Sequence, residues 1–284
     1  EYRSLIVGMK KTGKGIYAID DHHGELHYET FRNGLDTLVK AIEQKLLPNT
    51  IIKGLKVDTI EQLPNEQIEL YFNNMESMRA DAVIMTTPFN VTKSVFKDSE
   101  AMQKLPVMNY ATIATVSMAF EEGQISKYKD AMNFFVSRNS DFAITSCTWI
   151  NRKWNDVAPE GYDLLRVYIG RVGDESIVEL SDSEIEKTVM QDLRRAFHLQ
   201  VKPMFTVVTR WKESMPQYTI GHDERIGFLQ EQFQNEYPQV QLIGSSYKGI
   251  SMPDCVAQGK RAAEQIVEQL FLNKETSSNE VVSF

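Results

Sequence analysis

The sequence predicts a mixed α/β and α+β protein, on three observations. A short apolar run at Leu242 and Ile243, a glycine- and serine-rich turn from Gly244 to Ser251, and Pro253 at the head of a helical pattern read as strand, turn and helix. Strand candidates between Ala111 and Ile169, joined by short polar connections, read as consecutive strands of an antiparallel sheet. Ser181 with Glu184 three residues later is a capping box, and Ile185, Val189, Leu193 and Phe197 form the stripe of a helix that would back the sheet.

Composition narrows the class. With 284 residues the chain can bury a sizeable core, and 42% hydrophobic with 25% charged residues is ordinary globular composition. A net charge of −8 argues against a nucleic-acid binder, which relies on clustered Lys and Arg. No apolar run reaches the roughly 20 residues that span a bilayer, although a peripheral membrane contact stays open. Two cysteines, Cys147 and Cys255, far apart and without metal-like spacing, fit a reducing cytosol.

Taken in order, residues 1–27 read as a short helix end and a mobile loop, in which His22, His23 and His27 are a solvated turn rather than a metal site. Asn33 is a candidate N-cap for an amphipathic helix carrying Leu35, Leu38, Val39, Ile42 and Leu46. Strand candidates follow at Ile51 to Ile60, at Ile68, Leu70 and Phe72 in alternation, and at Ala82 to Met85. The block from about Val91 to Trp211 holds strands at Ala111 to Phe120, Phe134 to Val136, Ile144 to Trp149, Leu164 to Ile169 and Phe205 to Trp211. A helix carrying Ile226, Leu229 and Phe233 ends at Tyr237-Pro238. The helix after Pro253 is expected to keep Val256, Lys260, Ala263, Val267 and Leu270 on one side, and Lys274 to Phe284 to fray.

The free amides at the start of that last helix favour an anionic or carbonyl-bearing ligand. Two signatures sharpen this: Ser214-Met215-Pro216-Gln217-Tyr218, and Pro253-Asp254-Cys255 followed by Gly259 and Ala262-Ala263. In this order and spacing they resemble the oxygen-dependent porphyrinogen oxidases, FAD enzymes of haem synthesis. Ser137 to Thr145 and Ala158-Pro159-Glu160-Gly161 look like their Gram-positive bacterial branch. The resemblance implies a partial FAD-binding, Rossmann-like domain in residues 1–90 and 212–284, around an antiparallel-sheet substrate domain in 91–211.

The family's Gly-x-Gly-x-x-Gly turn is not found and the chain opens at Glu1, so the expectation is the carboxyl-terminal part of a longer enzyme, a truncated chain. An uncovered sheet edge and marginal solubility are expected with it.

For the cofactor, the resemblance implies Val57 against the adenine of FAD, Trp211 beside the flavin, and Ser245, Ile250, Ser251 and Met252 around the isoalloxazine ring. The chain departs from the family's Gly-Val-Gly pattern at Gly249-Ile250-Ser251. For the substrate it implies Trp154 against the macrocycle and Ile144 as a further wall, with Trp149, Arg152 and Lys153 nearby as an aromatic and cationic rim.

No side chain is assigned as a catalytic acid, base or nucleophile, and no metal is expected. Ser245 and Ser246 lack a nucleophile elbow, Cys255 reads as structural, and Glu213 and His222 need no acid-base role. The reaction implied is removal of six hydrogens from coproporphyrinogen III or protoporphyrinogen IX, with O2 reoxidising the flavin. A cytoplasmic enzyme with a peripheral membrane contact or a haem-pathway partner fits that setting. The alternatives are another flavin amine-oxidase or desaturase-like enzyme, and a non-catalytic porphyrin-binding fragment.

Overall fold

The computed structural model describes residues 30–65, 67–125, 133–154 and 157–280, with side chains through Phe271. The readings made for residues 1–27 lie outside this range. The described chain packs around two hydrophobic cores.

The first core belongs to a five-stranded antiparallel sheet. Its strands are β5 (Tyr110–Glu121), β6 (Asn133–Phe135), β7 (Ile144–Trp149), β8 (Tyr162–Ile169) and β9 (Phe205–Pro216), in the order β6-β7-β8-β5-β9. Alternation decides the faces: Ala114, Val116, Met118 and Phe120 of β5 and Leu165, Val167 and Ile169 of β8 are buried. Helix α5 (Asp182–Phe197) lays Ile185, Val189, Met190 and Leu193 over them. Its start is the expected capping box, Ser181 and Glu184 bonding reciprocally.

The second core joins segments far apart in the sequence. Strands β1 (Val57–Gln62), β2 (Ile68–Phe72) and β3 (Ser77–Ala80) form an antiparallel meander, and β4 (Val83–Met85) pairs in parallel with β10 (Val240–Leu242). Helices α2 (Phe89–Val95), α3 (Glu100–Lys104) and α6 (His222–Glu236) close this core with Phe89, Phe96, Met102, Ile226, Leu229 and Phe233. Glu236 of α6 accepts from Ser99 Oγ and from the Ala101 amide at 2.8 Å, while Ser99 Oγ accepts from the Met102 amide, so the start of α3 is capped by its own serine and from another element.

Several readings are corrected here. Residues 51–56 are irregular, and the first strand begins only at Val57. Helix α1 (Asp36–Glu43) forms without a side-chain cap from Asn33, and its stripe residues Leu35, Val39 and Ile42 stay exposed to the described chain. Residues 91–105, grouped by sequence with the middle block, pack into the second core through Val95, Phe96, Ala101 and Met102. Helix α7 (Met252–Glu280) runs through the stretch expected to fray. It buries Gln258, Ala262 and Ile266, four residues apart, whereas Val256 and Val267 are exposed.

Candidate functional site

Two features meet at one end of the five-stranded sheet. The first is the sheet face that α5 leaves uncovered. It carries Ile113, Thr115 and Ser117 of β5, Arg166 and Tyr168 of β8, and Thr209 and Trp211 of β9. With Ser214 and Met215 these line a cleft of about 440 Å³. Trp211 is 48% exposed and donates its indole N–H to Thr115 Oγ1 at 3.3 Å, which holds the ring against the sheet. Below it β9 bulges: Ile113 faces Trp211, but two residues on, Ala111 faces Met215. Glu213 inside the bulge takes a left-handed φ of 45°, with its amide donating to Thr112 Oγ1 at 3.0 Å. Such a bulge bends the strand and re-aims the side chains beyond it.

The second feature is the turn into α7. Residues beyond β9 are tied to it: the Tyr218 hydroxyl donates to the Ser245 carbonyl at 2.6 Å, and its ring stacks on His222 at 3.8 Å. Burial, with Cys255, Asp223 and Asp254 adding to it against an opposing Gly249 amide, raises the Tyr218 phenol above its ordinary value. It therefore stays a donor at neutral pH. His222, buried in the same cluster, meets the Tyr247 carbonyl through Nε2 at 2.9 Å, which makes it a tether. Ser246 Oγ lies 2.8 Å from the Tyr110 hydroxyl, and both bond the Phe89 amide at the head of α2.

At the helix start Ser251 and Asp254 form a capping box: Ser251 N and Oγ both donate to Asp254 Oδ2, and Asp254 N donates to Ser251 Oγ. Gly249 permits this arrangement. It holds a φ of 87°, and a Cβ there would come within 2.6 Å of the Asp254 carboxyl carbon. The amides of Ile250 and Met252 bond to no acceptor among the described residues. Ile250, Ser251 and Met252 are all exposed.

Two free amides at the positive end of a long helix, with Asp254 engaged in the cap, are a donor set suited to the carbonyl and ring-nitrogen acceptors of a flavin. The residues present therefore fit that group.

The residues singled out from sequence are dispersed. Trp211 reaches the cleft, and Ser245, Ile250, Ser251 and Met252 form the turn joined to it. Val57 opens β1 in the meander, packed against the second core. Ile144 is fully buried inside the first core, its amide held by Asp192 Oδ2 at 3.1 Å, so its side chain offers no wall to a ligand. Trp154 ends α4 (Ile150–Lys153), beneath Lys153 Nζ at 4.8 Å, and does not line the cleft. Trp149 is buried in the first core with Arg152 over its ring, and Arg152 donates to the Ile125 carbonyl. Cys147 is buried too, and burial raises its thiol well above the ordinary range.

Sequence reasoning missed Arg166 and Tyr168. Their signal was the alternation of β8, which puts both opposite Leu165, Val167 and Ile169.

A sheet backed by helices on one face, open on the other, and ending at a strand-turn-helix unit is the plan of a flavoprotein with a substrate domain. The chain belongs to the family of flavin containing amine oxidoreductases, which it matches over residues 4–267. It is 41% identical over 95% of its length to the coproporphyrinogen III oxidase of Bacillus subtilis, and 34% identical over 95% to that of Staphylococcus aureus. It spans 58 and 59% of the length of those two relatives.

Among solved structures it resembles one named "Putative protoporphyrinogen oxidase" from Exiguobacterium sp. 255-15. The TM-score is 0.75 and the identity 29%, over 84% of this chain and 51% of that one. Cyclohexylamine oxidase from Brevibacterium oxydans shares the fold at 15% identity and a TM-score of 0.65, covering 84% of this chain and 53% of its own. No helix among the described residues is long and apolar enough to cross a membrane.

Proposed function

We propose that this chain supplies the substrate sheet and part of the flavin site of an oxygen-dependent, cytoplasmic coproporphyrinogen III oxidase of haem synthesis. The observation that carries the reading is the open sheet face running into the α7 turn, on a chain 41% identical to a coproporphyrinogen III oxidase. Relatives named for protoporphyrinogen oxidation stand further off, at 29% identity for the Exiguobacterium structure and 25 and 22% for two plant enzymes, which favours the coproporphyrinogen substrate. In this reading residues 110–216 face the porphyrinogen and the flanking segments hold FAD.

FAD, when bound, accepts hydride from the substrate and passes the electrons to O2. This chain's own residues bind and orient. The Ile250 and Met252 amides, beside Ser245 and Ser251, would hold the flavin ring system. Trp211, Ile113 and Met215 give a flat macrocycle an apolar wall, while Thr115, Ser117 and Thr209 add hydroxyls. No Asp, Glu, His or Lys lines the cleft among the described residues, so these side chains shape the site rather than exchange protons.

The test is to load the polypeptide carrying this chain with FAD, desalt it, record the flavin spectrum, and follow porphyrin fluorescence on adding coproporphyrinogen III under air. Retained flavin with porphyrin formation is expected. Retained flavin with turnover of a primary amine and none of the porphyrinogen overturns the reading.

A further inference from the structure

Arg166 stands at the middle of the open face, on β8, the central strand of five. Its cross-strand neighbours are Ser117 on β5 and Thr148 on β7. Hydroxyls cannot neutralise a guanidinium. The adjoining rung sets Tyr168 between Thr115 and Ser146, again without a carboxylate.

Among the described residues the Arg166 guanidinium has no ion pair, hydrogen bond or ring contact. Four other arginines of this half of the molecule are engaged, whereas Arg194 points from α5 into solvent. Arg138 bonds the Val172 carbonyl, Arg171 meets Asp174, Arg195 meets Asp141 and Asp192, and Arg210 meets Asp182. The acid on the same face, Glu121, lies four residues along β5 from Ser117, about 13 Å away by strand rise, and accepts from Gln124 instead.

A half-buried, unpaired cation is costly unless something brings it an anion. A guanidinium fork matches a carboxylate with two parallel hydrogen bonds, and a central strand holds it more rigidly than a loop would. The apolar side chains of the cleft, Trp211, Ile113 and Met215, gather at the end nearer the α7 turn. From Ala111, opposite Met215, to Ser117, opposite Arg166, is six residues, or about 20 Å of strand. The cleft thus has an apolar floor near the flavin turn and one positive charge at a distance from it. This suits a flat apolar ring bearing a flexible acidic arm.

Resting on the functional reading above, we propose that Arg166 anchors one propionate carboxylate of the porphyrinogen and so sets the ring's orientation in the cleft.

The test compares binding of coproporphyrin III with binding of its tetramethyl ester, which keeps the ring and removes the charges. Both are titrated into the FAD-loaded polypeptide and followed by porphyrin fluorescence. Arg166→Gln is expected to weaken the free acid roughly 10- to 100-fold, the loss of one charge-assisted pair, and to leave the ester unchanged. Arg166→Lys, which keeps the charge but not the fork, falls between. In turnover, KM for coproporphyrinogen III rises while kcat stays within about twofold.

Unchanged flavin retention and thermal unfolding show that Arg166→Gln is folded. Free-acid affinity that does not change in a folded Arg166→Gln, or equal weakening of acid and ester, overturns the anchor while leaving the functional reading intact. A wild-type protein that binds neither porphyrin overturns the functional reading and the anchor together.

Discussion

Asp192 offers the sharpest test of how the open sheet is held. It lies on α5, 4% exposed, with its carboxylate turned to the start of β7. Oδ2 accepts from the amides of Ala143 at 2.7 Å and Ile144 at 3.1 Å, and Oδ1 faces Arg195 Nη1 at 3.3 Å. Asp192→Ala removes both acceptor bonds and leaves two backbone N–H groups unpaired at a largely buried position. At about 1–3 kcal/mol for each of the two orphaned donors, the expected loss is roughly 2–6 kcal/mol. Arg195 contributes little to that sum, since it keeps Asp141 at 2.7 Å and is partly exposed.

Asp192→Asn separates charge from geometry. Its amide oxygen can still serve both N–H groups, as a neutral acceptor of about half the strength, so a loss of roughly 1–2 kcal/mol is expected. Denaturant unfolding of the two variants would show the order, and Asp192→Ala should lower the thermal midpoint by on the order of 10 °C. Hydrogen exchange at Ala143 and Ile144 should accelerate in the alanine variant before other β7 amides respond. An alanine variant within about 1 kcal/mol of wild type, or an asparagine variant as damaged as the alanine one, would refute the account of a shared, charged acceptor.

Two further perturbations probe the cores. Gly170 ends β8 with φ 83°, and a Cβ there would lie 2.7 Å from both the Thr112 carbonyl oxygen and Val178 Cγ2. Gly170→Ala therefore combines left-handed strain with a clash against backbone, and a loss of roughly 2–5 kcal/mol is expected; a melting curve superimposable on wild type contradicts it. Tyr247 is fully buried in the second core, and its hydroxyl lies beside Thr92 Oγ1 without a well-formed hydrogen bond among the described residues. Burial pushes this phenol up to about 12, with Thr92 pulling slightly the other way.

Below the ordinary tyrosine value near 10, both folded and unfolded states keep the Tyr247 proton and its titration has no effect. As pH climbs toward 12 the unfolded state ionises first, and roughly 2–3 kcal/mol of stability is lost. Tyr247→Phe should abolish that share of the alkaline loss and, at neutral pH, match wild type or exceed it by about 1 kcal/mol. A variant with the same alkaline profile, measured by denaturant titration across that window, would show the phenol is not the group involved.

Much of the fold was legible because it rests on local rules. The alternation at Ala114, Val116, Met118 and Phe120 and at Leu165, Val167 and Ile169 can be satisfied only by strands with one covered face. The Ser181–Glu184 box starts its helix with its own side chains. The turn from Gly244 to Ser251 carries its conformational signal in Gly244 and Gly249, both at positive φ. Tyr218 and Ser245, both singled out in the sequence, meet at the turn into α7.

What escaped the sequence depends on partners distant along the chain. The parallel pairing of Val83 to Met85 with Val240 to Leu242 joins strands with the whole five-stranded sheet between them, and three-residue strands carry almost no pattern. Helix α3 has a local cap in Ser99, but its Ala101 amide is met by Glu236, a partner that nothing near residues 99–101 announces. On α7 the sequence groups Val256 and Val267 on one side, and packing buries another, that of Gln258, Ala262 and Ile266. Periodicity locates a face but not the neighbour it meets.

The same limit governed the site. Trp149 and Ile144 looked like walls because aromatic and apolar residues suit a macrocycle, but such residues suit a core equally, and the fold placed them there. Sequence alone determined the class of elements, the polar face of the sheet and the family signatures beside the turn into α7. Tertiary structure decided which strands lie side by side, and so which side chains share the open face. That is how Arg166 comes to stand on the central strand, uncovered by α5 and without an anion among the described residues.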